Sequence, residues 1–125
     1  MKKKVLVIED ENDIVTILLF RLGKAGFEVL SAKNGVEGLE LAKNIRPDLI
    51  ILDLMLPELP GEEVCKAIRE DDDETFCSIP IIMVTAKIGD VDRIIGKSIG
   101  ANSYITKPFD VEDLLSEIQR TLTSN

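Results

Sequence analysis

The chain contains no histidine and only two cysteines, Cys65 and Cys77. Without imidazole, and with so few thiols, there is no ordinary ligand set for zinc and no disulfide framework. Both cysteines are expected as free thiols in a reducing compartment. Basic residues are also outnumbered: 15 Lys and Arg face 23 Asp and Glu, for a formal net charge of −8. That balance argues against a nucleic-acid surface, because gripping DNA rests on neutralising phosphates with Lys and Arg. Long apolar runs are missing, so no segment spans a membrane. The opening Met1-Lys2-Lys3-Lys4 imitates a signal-peptide start, but only residues 5–8 are apolar before Glu9 and Asp10 intervene. The expectation is a cytoplasmic protein with no membrane or direct nucleic-acid partner. With 45% hydrophobic and 30% charged residues in 125, the chain reads as one domain over residues 1–125 with an ordinary core.

What is present is a regular alternation. Residues 4–9 and 27–32, the Leu49-Ile50-Ile51-Leu52 run, 80–85 and 103–106 read as strands. Several are near-continuous apolar runs, which suits strands covered on both faces of a parallel sheet. Helices are expected between them. The first is capped by Asn12 or Asp13, carries Ile14, Leu18 and Leu22 at helical spacing, and ends near Gly26. A second follows Asn34, with Glu37 three residues on, and stops before Pro47. A third starts near Gly61 and bears Val64, Cys65 and Ile68. A weaker fourth covers about 90–99, and a last one opens at Asp110 with Val111, Leu115, Ile118 and Leu122 as its apolar face. The acidic run 70–74 is expected to be a solvated helix end and loop. Right-handed crossovers of this length give a three-layer α/β/α sandwich with a five-stranded parallel sheet.

All strands of such a sheet end on one edge, where open α/β folds hold their ligands. The first strand ends in Glu9 and Asp10, the third in Asp53, the fourth in Thr85 and the fifth in Lys107. Three carboxylates, a hydroxyl and an ammonium therefore converge. Crowded carboxylates repel, so at least one pKa should rise unless a cation relieves them. Mg²⁺ suits one or two carboxylates, water and a phosphate oxygen. A carboxylate beside such a metal and a Lys can act as a nucleophile toward phosphorus and form an acyl phosphate.

These motifs, Glu9-Asp10, Asp53 with Pro57 four residues on, Thr85-Ala86 and Tyr104 through Lys107-Pro108-Phe109, resemble the receiver domains of two-component response regulators, the CheY-like family. The resemblance runs along essentially the whole chain. It implies the flavodoxin-like strand order 2-1-3-4-5 and phosphorelay signalling, with an aspartyl phosphate on Asp53 donated by a sensor histidine kinase or histidine phosphotransfer protein. It also implies Mg²⁺ held by Asp10, Asp53 and the Met55 carbonyl, with Glu9 acting through water. Lys107 would meet the phosphoryl group, and the bond between Lys107 and Pro108 would be cis. Thr85 and Tyr104 would carry the switch to the face formed by the helix over 90–99, the fifth strand and the last helix, with Gly89, Gly96 and Gly100 fitting a moving element. Met55 and Lys87 flank the path of the hydrolytic water in the family. Neither offers a carboxamide or carboxylate to orient it, so slow self-dephosphorylation is expected. The domain would not be an enzyme beyond its own phosphorylation and dephosphorylation.

The competing readings are a degenerate receiver that only binds proteins, an Asp-nucleophile phosphatase and a flavin carrier. The phosphatase needs a second acid where Met55 stands, and Glu9-Asp10-Glu11 would repel a flavin phosphate. Gly96-Lys97-Ser98 imitates the end of a P-loop, but Val91 stands where that motif needs Gly. Asn102-Ser103 departs from the paired acids common where DNA-binding regulators dimerise on this face. The output is expected to be a downstream protein target or, in a longer regulator, the chain's own output domain.

Overall fold

A computed structural model describes residues 2–86 and 100–123. The helix expected over 90–99, with Lys87, Gly89 and Gly96, lies outside the described residues. Five strands, β1 (Lys4–Ile8), β2 (Glu28–Ala32), β3 (Leu49–Asp53), β4 (Ile81–Thr85) and β5 (Ser103–Thr106), form one sheet in the order β2-β1-β3-β4-β5. Every pairing is parallel. Among the described residues the helices are α1 (Asn12–Lys24), α2 (Gly35–Ile45), α3 (Gly61–Arg69), a single turn α4 (Glu74–Cys77), and α5 (Val111–Thr123).

The sheet's apolar runs are apolar because both faces are covered. All five residues of β3 and of β4 are buried. Alternate side chains leave opposite faces of a strand, and two cores result. Leu6, Ile8, Ile50, Leu52, Ile81 and Met83 meet Ala42 of α2 and Val64, Cys65 and Ile68 of α3. On the other side Val5, Val7, Leu49, Ile51, Ile82 and Val84 meet Leu18 and Leu22 of α1 and Leu114 and Ile118 of α5. β2 and β5 are the edges and are only half-covered.

Local signals explain most boundaries. Asn34 caps α2 by accepting from the Glu37 N–H at 2.8 Å. α2 stops where Arg46 takes a left-handed φ of 50°, directly before Pro47. Gly26, at φ 99°, follows the end of α1. At the start of α1 the expectation changes. Glu11, rather than Asn12 or Asp13, stands at the N-cap, and its side chain makes no capping bond. The apolar face of α5 is wider than expected: Leu114 is fully buried with Ile118, and Leu115 and Leu122 pack beside them partly buried.

The acidic run is more structured than a solvated loop. Asp73 caps α4, accepting from the Thr75 and Phe76 N–H groups, and pairs with Arg46 at 2.7 Å. The hydrogen bonds from Thr75 and then Arg46 hold the Asp73 carboxyl down at about 2. This turn points Phe76, 1% exposed, into the core. Nearby, Arg69 ties the loops that feed the last two strands. Its guanidinium donates to the carbonyls of Gly100 (2.9 Å), Cys77 (2.7 Å) and Ile79 (2.8 Å), and to Asn102 Oδ1 (3.0 Å). Asn102 Oδ1 also accepts from the Ile81 N–H at 2.8 Å. Cys65 and Cys77 are free thiols.

Candidate functional site

The parallel sheet delivers its carboxyl ends to one edge, and three acids meet there. Oxygens of Glu9, Asp10 and Asp53 lie within 4.8 Å of one another. Glu9 and Asp53 are each 3% exposed, whereas Asp10 faces solvent. Hydrogen bonds at the strand ends aim them. The Glu9 N–H bonds the Ala32 carbonyl at 3.0 Å, extending β1 beyond its last paired residue. Asp53 Oδ1 accepts from the Met55 N–H at 3.0 Å, which fixes its rotamer. The turn after β3 is held in place by α3, because the Gly61 N–H donates to Leu54 O at 3.0 Å. That approach needs glycine: a Cβ at position 61 would lie 2.2 Å from the Asp53 carbonyl oxygen.

Lys107 arrives from the end of β5, where its backbone N–H donates to the Thr85 carbonyl at 2.8 Å. The Lys107–Pro108 peptide is cis. The Lys107 ammonium then lies 2.8 Å from Glu9 Oε1, 3.1 Å from Glu11 Oε1 and 3.1 Å from Asp53 Oδ2. Glu11 is the residue that sequence reasoning did not place in the site. The sequence signal was only its place in the acidic run Glu9-Asp10-Glu11, since the partner lies 96 residues further along the chain.

The electrostatics follow from an excess of acids over bases. Burial is the largest cause that lifts the Glu9 carboxyl from 4.5 to about 7, and the Asp53 charge adds to it, while Lys107 and the Glu11 N–H hold it down. For Lys107, burial acts to lower the pKa, but the hydrogen bonds to Glu9, Asp53 and Glu11 overcome it and raise the ammonium above its ordinary value. Both groups hold their protons more tightly, Glu9 chiefly because it is buried and Lys107 because three carboxylates surround its ammonium. The rise expected from crowded carboxylates is therefore seen at Glu9, although burial contributes more than repulsion.

The remaining predicted residues are arranged around this centre. Thr85 is fully buried at the end of β4, beside β5. Met55 turns its side chain outward, 58% exposed. Tyr104 is half-buried, paired in register with Met83 and packed on the α2/α3 side of the core. Lys87 lies outside the described residues. Next to the acids, a cleft of about 370 Å³ is lined by Ile14, Ile17, Pro108, Phe109 and Val111, together with Glu11 and Lys107. An all-oxygen donor set this compact fits a hard divalent cation better than a soft one.

The profile of the response regulator receiver domain matches residues 5–119. The chain belongs to that family. It is thus a receiver domain of the kind found in two-component signalling. It is 42% identical over 122 residues to the alkaline phosphatase synthesis transcriptional regulatory protein PhoP of Bacillus subtilis, a match that covers 98% of this chain and 49% of PhoP. The chain therefore spans about half the length of that curated relative. Among solved structures it is similar to the chemotaxis protein CheY4 of Vibrio cholerae, with a TM-score of 0.90, 35% identity, and coverage of 97% of this chain and 99% of that one. It is also similar to the BeF3-activated N-terminal receiver domain of Klebsiella pneumoniae RstA, with a TM-score of 0.84, 28% identity, and coverage of 95% and 97%. No helix among the described residues of this receiver domain is long and apolar enough to cross a membrane.

The raised Glu9 pKa has a consequence for stability. A carboxyl titrating higher in the folded than in the unfolded chain binds its proton more tightly when folded, so stability falls as pH rises between the two values. For Glu9 that window runs from 4.5 to about 7. Urea denaturation in chelator should lose on the order of 2 to 3 kcal/mol across it. Glu9→Gln should flatten that slope; an unchanged slope would assign the loss to other groups.

Proposed function

We propose that this receiver domain accepts a phosphoryl group on Asp53 from a phosphohistidine of a sensor kinase or histidine phosphotransfer protein. The observation that carries the reading is the meeting of Glu9, Asp10 and Asp53 at the carboxyl edge of the sheet, with the Lys107 ammonium against the two buried acids among them. In the reaction an Asp53 carboxylate oxygen forms a bond to phosphorus while the P–N bond to the donor imidazole breaks and the imidazole leaves. The result is an acyl phosphate. Asp10, Asp53 and the Met55 carbonyl would hold Mg²⁺, with Glu9 reached through water; the metal supplies neutralisation of the phosphoryl oxygens. Lys107 donates to one of those oxygens, and Thr85 to another.

The response follows from the same contacts. A hydrogen bond from Thr85 to a charged phosphoryl oxygen contributes about 1.5–3 kcal/mol, enough to shift a closely balanced equilibrium. Thr85 is joined to Lys107 and Tyr104 through adjacent strand ends, so its displacement alters the β5 and α5 face used by a downstream target. The apolar cleft beside Lys107, continuous with the exposed Ile17 of α1, supports a protein rather than a small molecule as the donor. The BeF3-activated form of the similar RstA domain supports a response to a phosphoryl-like group. The similarity to PhoP supports an output in transcriptional control within a longer regulator, and the domain is proposed to work in the cytoplasm.

Incubation with acetyl phosphate and Mg²⁺ should label the chain stoichiometrically, without turnover. Asp53→Asn should abolish the label, as should a chelator; label surviving in Asp53→Asn would overturn the assignment. Decay of the acyl phosphate should be slow, since Met55 and Lys87 provide no carboxamide or carboxylate to orient the attacking water. Met55→Asn should accelerate that decay, followed as loss of label after removal of the donor, and an unaltered lifetime would count against the tuning role.

A further inference from the structure

We infer that Glu11 is a displaceable partner of Lys107, which must let go before the ammonium can meet an incoming phosphoryl group. The inference rests on the reading of Asp53 as phosphoryl acceptor and adds a residue that restrains the reaction. A lysine ammonium has three N–H bonds. Here three carboxylate oxygens lie within reach of them, from Glu9 at 2.8 Å and from Glu11 and Asp53 at 3.1 Å each. An arriving phosphoryl oxygen therefore finds no N–H available until one acid withdraws.

Burial decides which acid that is. The side chains of Glu9 and Asp53 are 3% and 4% exposed, and that of Glu11 is 58% exposed. Stripping Lys107 from Glu9 would leave a buried carboxylate without its counter-ion, which is costly. Asp53 is the group being modified and stays in place. Glu11 can swing its carboxylate into water at little cost, as exposed ion pairs generally can. Its side chain makes no capping bond at the start of α1, and among the described residues Lys107 is its only ion-pair partner. Its one structural contribution to the site, the N–H bond to Glu9 Oε2 at 3.0 Å, comes from the backbone and survives substitution. Glu11 also lines the same cleft as Lys107, so its charge stands where a phosphoryl dianion approaches from solvent. Occupation of Lys107 and repulsion of the phosphoryl group act in the same direction, as a restraint on acceptance.

The test is the rate of labelling of the full chain by acetyl phosphate at saturating Mg²⁺, at low and high ionic strength, for wild type, Glu11→Gln and Glu11→Ala. Both variants should accept phosphate roughly two- to five-fold faster at low salt, the range expected for releasing an exposed pair. The gap should narrow at high salt, because exposed charges are screened; a purely structural role for Glu11 would not produce that dependence. Variants labelled at the wild-type rate or slower, or a gap indifferent to salt, would overturn the inference while leaving Asp53 as acceptor intact. A wild type that takes no label would overturn the acceptor reading, and this inference with it.

Discussion

The structure depends on keeping more negative than positive charge buried at one edge of a sheet. Carboxylates in low dielectric are expensive unless paired and hydrogen-bonded, and here the Lys107 ammonium spans two buried ones, Glu9 and Asp53. Lys107 offsets Glu9 and Asp53, and the backbone N–H groups of Glu11 and Met55 take one further oxygen from each acid. What remains is a pocket that holds protons tightly and is short of positive charge. A divalent cation would relieve it.

That arrangement is a product of topology more than of local design. Parallel pairing sends the ends of β1, β3, β4 and β5 to the same edge, and the two cores on either side keep those ends from moving apart. The close approach of Gly61 to the Asp53 carbonyl, where no Cβ fits, locks the turn that carries the acceptor. At the opposite end of the sheet Arg69 performs a similar service for β4 and β5, joining four acceptors from the loops that precede them. One end of the sheet is thus tied by a cation among neutral carbonyls, and the other carries a cation among charged acids. The first arrangement needs nothing more, while the second is left with charge to trade.

The strands and the principal acids were legible because their signals are local and repeated. Runs such as Leu49 to Leu52 have no reading but a doubly covered strand, and once the strands are parallel, Glu9, Asp10, Asp53 and Lys107 must converge. Less was visible where tertiary packing chooses between equal local options. The turn α4 depends on Asp73 meeting Arg46 and on Phe76 finding a hole in the core, neither of which periodicity reports. The face of α5 proved wider than expected, taking in Leu114 beside Leu115, because adjacent leucines satisfy the same helical pattern within one residue. Glu11 was passed over as a third acid in a run, since its partner lies 96 residues further along the chain. Arg69 gave no signal at all, for an arginine near a helix end usually faces water.

The most direct test of this account is the stability of Lys107→Met with and without Mg²⁺, measured by urea denaturation. If the ammonium is what makes the buried acids tolerable, the metal-free variant should lose about 3–5 kcal/mol, the cost of leaving buried charges without a partner. Mg²⁺ should then restore much more stability to the variant than it adds to the wild type. A metal-free variant as stable as wild type, or one that gains no more from Mg²⁺ than wild type does, would contradict the account.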